Sequence, residues 1–282
     1  MKTLSGKIVA DQILDEIKRE IASHNVRPGL AFVLVGKNPA SEAYIKRKIL
    51  ACEKVGIASF DCRLGEKISE GELLAKVEEL NGEAEIDGII VQQPLPAHIC
   101  STRVIRAVDI YKDVDGFHPQ NIGKLLLGDE SGLISCTPLG IVTLLERNKI
   151  STSGKEVVIV GRSNIVGKPL AALLMQKGRD ATVTVAHSRT KNLAEVCKRA
   201  DILVAALGKP KAISANMVKP GAVVVDVGIN RTKDQKLIGD VDYDQVAKVA
   251  SAISPVPGGV GPMTIAMLLK NTWLSFKRRH SL

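Results

Sequence analysis

The sequence predicts an α/β protein of two domains built on parallel, doubly wound sheets. Three observations lead there. Short apolar runs rich in β-branched residues, such as Leu30–Val35, Gly88–Val91, Val157–Val160 and Ala222–Val227, are continuous rather than alternating, as in strands buried on both faces. Segments with a helical period separate them, the alternation expected of parallel strands joined by helices. One run, Val157–Val160, passes through Gly161 and a polar turn to Gly167, Lys168 and Pro169, where an apolar helix opens. Proline suits a first helical turn, where its missing N–H costs nothing. Strand, glycine turn and helix together set a pyrophosphate on backbone N–H groups and a helix N-terminus. The spacing departs from G-x-G-x-x-G, because Ser163 holds the second glycine position and the last glycine comes one residue late. At this point an ordinary βα turn stays open.

Taken in order, residues 4–21 place Ile13, Leu14, Ile17 and Ile21 on one face of a helix. Arg27-Pro28-Gly29 breaks it before the Leu30–Val35 strand. Asn38-Pro39 reads as an N-cap followed by a first-turn proline, opening a helix that runs to Val55 and stops at Gly56. Residues 57–64 read as a strand, 69–80 as a helix and 88–91 as a buried strand. Gln92-Gln93-Pro94-Leu95-Pro96 then forms a loop at a strand's carboxyl end, where open α/β sheets bind ligands. A second loop, residues 112–117, is dense in charge and glycine, and Cys136-Thr137-Pro138 precedes an apolar helix over 139–145. Beyond a linker at 151–154 come the glycine turn and its helix, strands at 181–186, 202–206 and 222–227, and a helix near 192–198. Residues 254–264 are crowded with proline and glycine, which fits either a wall against a ligand or a plain linker. A last helix spans about 263–276.

Composition narrows the function. The 282 residues, 45% of them hydrophobic, are enough for two cored domains. No apolar run reaches the ~20 residues that span a bilayer. The N-terminus mixes acids and bases on a helical period, unlike a signal or transit peptide, which points to the cytoplasm. Five widely spaced cysteines without a C-x-x-C argue against a zinc ribbon or a thioredoxin-like site and suit reduced thiols. No metal site is expected. The net charge of +9 is scattered, apart from Lys277-Arg278-Arg279-His280, and aromatics make up only 3%. Base stacking on nucleic acid is therefore not expected. A polyanionic small substrate or cofactor explains the charge as well.

Tyr44 and Lys48 are four apart and share a helix face, which from spacing alone suits packing as well as chemistry. Asp113 and Asp115 read by themselves as turn residues. Taken together, Tyr44-x-x-x-Lys48, VQQPLP at 91–96, KDVDGF at 112–117, CTP at 136–138, GRSNIVGKP at 161–169, DVGIN at 226–230 and PVPGGVGPMT at 255–264 resemble the bifunctional methylenetetrahydrofolate dehydrogenase/methenyltetrahydrofolate cyclohydrolase family. The motifs keep the family's order and span nearly the whole chain. Gln93 departs from the family's usual leucine.

The resemblance implies NADP-dependent oxidation of 5,10-methylenetetrahydrofolate and hydrolysis of the methenyl product to 10-formyltetrahydrofolate, both in one cleft between two domains. It divides the chain into a folate-binding catalytic domain, 1–138 completed by a C-terminal helix at 262–282, and a Rossmann-like NADP-binding domain at 139–261. Lys48, Gln92 and Asp115 are implied as catalytic: Lys48 as base or orienter of water, Gln92 holding Lys48, and Asp115 accepting from the pterin's N–H donors. A lysine beside a cationic ligand gives up its proton more readily, which suits that task. Tyr44 would stack on the aminobenzoyl ring, and Pro257, Gly258, Gly259 and Val260 would line the folate pocket. Gly161, Arg162, Ser163, Ser188, Arg189, Ile229 and Thr137 would hold NADP. The family is homodimeric, and an exposed apolar edge of the cofactor domain is the expected interface. Another two-domain NADP-dependent dehydrogenase, shikimate-dehydrogenase-like, is the alternative; the Tyr44–Lys48 pair followed by VQQPLP favours the folate pattern.

Cofactor preference follows from the residues themselves. An NAD site places an acid about twenty residues past the glycines, on the ribose 2′-hydroxyl. Here the strand at 181–186 leads into His187-Ser188-Arg189-Thr190, with no acid, and Arg162 adds a second cation. A 2′-phosphate suits such a site. Steady-state rates are expected to favour NADP clearly over NAD, and equal catalytic efficiency with the two would contradict this reading.

Overall fold

A computed structural model of the chain describes residues 1–232, 234 and 236–282. In chain order the elements are β1 (Lys2–Thr3), α1 (Gly6–His24), β2 (Gly29–Val35), α2 (Pro39–Val55), β3 (Ala58–Leu64), α3 (Glu70–Gly82), β4 (Gly88–Val91), α4 (Ser101–Ala107), α5 (Pro119–Leu127) and α6 (Cys136–Arg147). There follow β5 (Glu156–Val160), α7 (Gly167–Leu174), β6 (Thr182–Ala186), α8 (Leu193–Lys198), β7 (Ile202–Ala205), β8 (Val223–Asp226), β9 (Asn230–Arg231), β10 (Leu237–Ile238), α9 (Tyr243–Val246), β11 (Ala252–Ile253) and α10 (Val260–Arg279). The chain forms two compact units: residues 11–136 with 265–282, and residues 1–10 with 137–264. Among the described residues no helix is long and apolar enough to cross a membrane.

The first unit is built on a three-stranded parallel sheet in the order β3-β2-β4. All seven residues of the central β2 are buried, as its continuous apolar run requires. Val33, Val91, Leu73, Val77 and Val104 pack together on one side. At about 1.5–3 kcal/mol for each large apolar side chain removed from water, such contacts dominate the unit's stability. Helix starts follow local chemistry. Asn38 Oδ1 accepts the N–H groups of Ala40 and Ser41 ahead of α2, and Ser69 and Glu72 form a reciprocal capping box on α3. The basic C-terminus is bound within this unit: Lys277 pairs with Glu20, Arg279 with Asp87, and Arg278 donates to the carbonyls of Glu130 and Ser131.

The second unit carries a six-stranded parallel sheet in the order β1-β11-β8-β7-β5-β6. From β5 the chain moves outward to β6, then crosses back to β7 on the other side of β5. The order therefore reverses between β5 and β7, the point at which open α/β sheets bind ligands. β1 pairs with β11 in parallel, Lys2 opposite Ala252. The chain's first residues thus belong to the second unit. Such a pairing across 250 positions has no local signature.

Two buried aspartates shape the loops at the carboxyl ends of β7 and β8. Asp226, 2% exposed, accepts the N–H groups of Gly228, Asp240 and Val241 at 2.9–3.0 Å. Asp240, fully buried, accepts those of Leu207, Gly208 and Lys209 at 2.6–2.9 Å and the Asn230 amide at 2.9 Å. Burial pushes the Asp226 carboxyl up to about 6, against the pull of its three donors. Asp226→Ala would leave those donors without a partner, at about 1–3 kcal/mol each. It is expected to cost about 3 kcal/mol or more in chemical unfolding. Lys219→Ala, which breaks an exposed pair with Asp201, is expected to cost about 1 kcal/mol or less. Equal losses in the two variants would show that Asp226 does not organise these loops.

Candidate active site

In the first unit, Tyr44 and Lys48 project from α2 as the four-residue spacing requires. Lys48 is only 4% exposed. Its Nζ donates to Gln92 Oε1 at 3.3 Å and lies 4.8 Å from the centre of the Tyr44 ring. A buried ammonium needs such partners, because burial without them is costly. Gln92 follows β4, and its own Nε2 donates to the Gln93 carbonyl at 2.7 Å, which sets the amide so that oxygen faces the lysine. The Gln93 side chain turns to Ser101, whose hydroxyl donates to Gln93 Oε1 at 3.0 Å. The polar residue at this position thus finds its partner on α4.

Asp115 is half-buried in the loop after β4 and α4. Burial pushes its carboxyl up, and the Lys48 charge pulls the other way. The two groups are therefore within electrostatic reach. Asp113, two residues earlier, has a different task. It accepts the N–H groups of Phe117 and His118 and the Asn121 amide, and burial pushes its carboxyl up to about 7. It holds the loop, as a turn residue does. Gly116 completes that loop at φ +70°, and a Cβ there would strike the backbone of Ile134 and Ser135.

In the second unit, the glycine turn lies at the sheet's reversal point. Gly161 adopts φ +140°, and a Cβ on it would collide with the Ala206 carbonyl at the end of β7. A Cβ on Gly167 would collide with the Gly161 carbonyl. These two glycines bring strand ends and helix start together, whereas Ser163 stands exposed in the turn. Its hydroxyl accepts the Val166 N–H at 3.1 Å, which explains why serine serves where the usual fingerprint has glycine. α7 begins without a side-chain cap. Arg162 is exposed beside Ser163. β5 and β6 are paired in register up to Val160 and Ala186, so the turn carrying Ser188 and Arg189, both exposed, runs next to it.

Ile229 is 59% exposed on the loop after β8, an apolar side chain without cover. The Thr137 and Thr264 hydroxyls meet at 3.0 Å, joining the first turns of α6 and α10. Pro257 is exposed, Gly258 takes φ +100° with its carbonyl accepting the Lys7 N–H, and Gly259 lies against Gly6. Val260 is buried at the start of α10. The fold therefore groups Tyr44, Lys48, Gln92 and Asp115 in one unit and the glycine-turn residues in the other. Sequence reasoning passed over Asn271, Ser135 and Asp240. The signal for Asn271 was weak, because α10 also buries the polar side chains of Thr272 and Ser275.

The chain matches two family profiles: the catalytic domain of tetrahydrofolate dehydrogenase/cyclohydrolase over residues 4–115 and its NAD(P)-binding domain over residues 135–280. It is 54% identical to the bifunctional protein FolD of Protochlamydia amoebophila across 99% of both chains. The crystal structure of the Campylobacter jejuni bifunctional enzyme FolD superposes with a TM-score of 0.96 at 48% identity, covering 99% of each chain. The Trypanosoma brucei FolD, solved with NADP and an inhibitor, has a TM-score of 0.94 at 36% identity over 99% of this chain and 98% of that one. With both profiles matched and this identity along its whole length, the chain belongs to the tetrahydrofolate dehydrogenase/cyclohydrolase family.

Proposed function

We propose that this chain is a bifunctional enzyme of one-carbon folate metabolism. It oxidises 5,10-methylenetetrahydrofolate to 5,10-methenyltetrahydrofolate with NADP and hydrolyses that cation to 10-formyltetrahydrofolate. The observation that carries the reading is the buried Lys48 amine, bonded to Gln92, packed over Tyr44 and within the field of Asp115.

The crowded glycine pair at 161 and 167 and the uncapped start of α7 suit a pyrophosphate, and the adjoining Arg162, Ser163, Ser188 and Arg189 suit a phosphorylated ribose. Thr137 and the exposed Ile229 line the same site. Bound there, NADP supplies the hydride acceptor. The chain's part in the oxidation is alignment, because the folate nitrogens stabilise the charge left on the bridging carbon. In the hydrolysis, water oxygen bonds to that carbon and the bond from carbon to N5 breaks. One water proton ends on N5 and the other leaves to solvent. Lys48 orients this water or takes its proton, with Gln92 fixing the amine. Tyr44 stacks on the aminobenzoyl ring, Asp115 accepts from the pterin N–H donors, and Pro257, Gly258, Gly259 and Val260 wall the pocket. The working domains on this reading are 1–138 with 262–282 for folate and 139–261 for NADP; the compact units differ from these bounds in that residues 1–10, 137–138 and 262–264 lie with the NADP-binding unit. The chain acts as a homodimer. The outer edge of β6, with Val185 and nearby Met175 exposed, supports that state.

Lys48→Met keeps length and apolar stem and so should keep packing. It is expected to cut cyclohydrolase activity by about 10²–10⁴-fold, the span of a lost acid–base group. The check is disappearance of supplied methenyltetrahydrofolate, corrected for spontaneous hydrolysis; a wild-type rate would exclude Lys48 from the chemistry. Asp115→Ala is expected to weaken folate binding by about 1.5–3 kcal/mol while NADP titrates unchanged. Weaker NADP binding with intact folate affinity would reverse the assignment of the two units.

A further inference from the structure

We propose that Asn271, on α10, is a positioning residue that sets Asp115 toward the substrate, an inference that rests on the role given to Asp115 above. Asp115 stands between two backbone carbonyls, and side chains from elsewhere hold both. The Val114 carbonyl before it accepts Asn271 Nδ2 at 2.8 Å and the Cys136 thiol at 3.2 Å. The Gly116 carbonyl after it accepts the Ser135 hydroxyl at 3.0 Å. The Asn271 amide nitrogen donates again, to the Ile134 carbonyl at 2.8 Å. Its two N–H groups are thus divided between the segment that carries Asp115 and the segment that supplies Ser135 and Cys136.

A primary amide presents two donors in one plane with a fixed angle between them. It therefore fixes the spacing of the two carbonyls it joins, which neither aspartate nor leucine can do in the same volume. Asn271 is 2% exposed, so water cannot take its place on either carbonyl. The joined segments have no slack. Val114 is fully buried, and the Gly116 backbone lies close enough to Ile134 and Ser135 to leave no room for a Cβ. Movement of the 134–136 segment is passed to the residues on both sides of Asp115. The carboxylate's direction then depends on an amide it does not touch.

The test is a double-mutant cycle on the full chain with Asn271→Ala and Asp115→Asn. It reads kcat/KM for 5,10-methylenetetrahydrofolate at saturating NADP, NADP affinity and the unfolding midpoint. Asn271→Ala is expected to lower the folate kcat/KM by up to about 10²-fold, the cost of a misplacement near 1 Å, with NADP affinity unchanged. In the Asp115→Asn background the same change is expected to add almost nothing, because the group it positions is already gone. A merely structural role would lower the unfolding midpoint without that coupling. Equal fold-losses in the two backgrounds, or an unchanged folate kcat/KM in folded Asn271→Ala, would overturn the proposal alone. An unchanged kcat/KM in Asp115→Asn would overturn the reading of Asp115 and this proposal with it. Asn271→Ser, which retains one donor in a polar side chain, replaces alanine in the cycle if Asn271→Ala does not fold.

Discussion

Parallel pairing is the constraint on which the rest depends. In both units every principal strand runs the same way, so the loops that follow them emerge at one edge of each sheet. Gln92 follows β4 and Asn38 follows β2. Gly161, Ser188, Ala206 and Ile229 follow β5, β6, β7 and β8. Side chains distant in sequence are gathered without any of them lying in the apolar sheets. The strands can then stay continuous runs of valine, isoleucine and leucine, and the chemistry is left to the loops and helices between them.

Those loops are fixed by buried polar groups rather than by apolar packing. Asp113 ties down the turn after Asp115, Asp226 and Asp240 hold the turns after β7 and β8, and Asn271 staples two segments together. Each group is expensive to bury and is repaid only when its partners are complete. Surface pairs such as Lys219 with Asp201 are of little consequence by comparison. Lys48 belongs to the first class: an amine 4% exposed, retained with one amide partner and one aromatic face. A position of this kind costs stability unless its partners are complete.

Legibility in the sequence follows the range of the determining interaction. α2 was readable to the residue because Asn38, Pro39 and Gly56 act locally. α3 was readable to within two residues at each end, and β2 and β5 from their apolar runs. α4 was missed: its N-cap, Cys100, makes no side-chain bond. α5 was missed although Pro119 and Gly128 mark its ends. The two-residue strands β1 and β11 exist only through long-range pairing. At the site, the shared face of Tyr44 and Lys48 could be read from helical spacing and Gln92 from its place after a strand. The distinction between Asp113 and Asp115 could not, because both read as turn residues and only the fold brings the Phe117, His118 and Asn121 donors around Asp113.

The central claim is that one chain carries both steps, with the buried lysine unit completing what the glycine-turn unit begins. The direct measurement supplies purified protein with 5,10-methylenetetrahydrofolate and NADP and follows NADPH and 10-formyltetrahydrofolate together. The account predicts that NADPH forms and that 10-formyltetrahydrofolate accumulates behind it faster than uncatalysed hydrolysis allows. NADPH formation with 10-formyltetrahydrofolate appearing only at the spontaneous rate, or no NADPH at all, would contradict it.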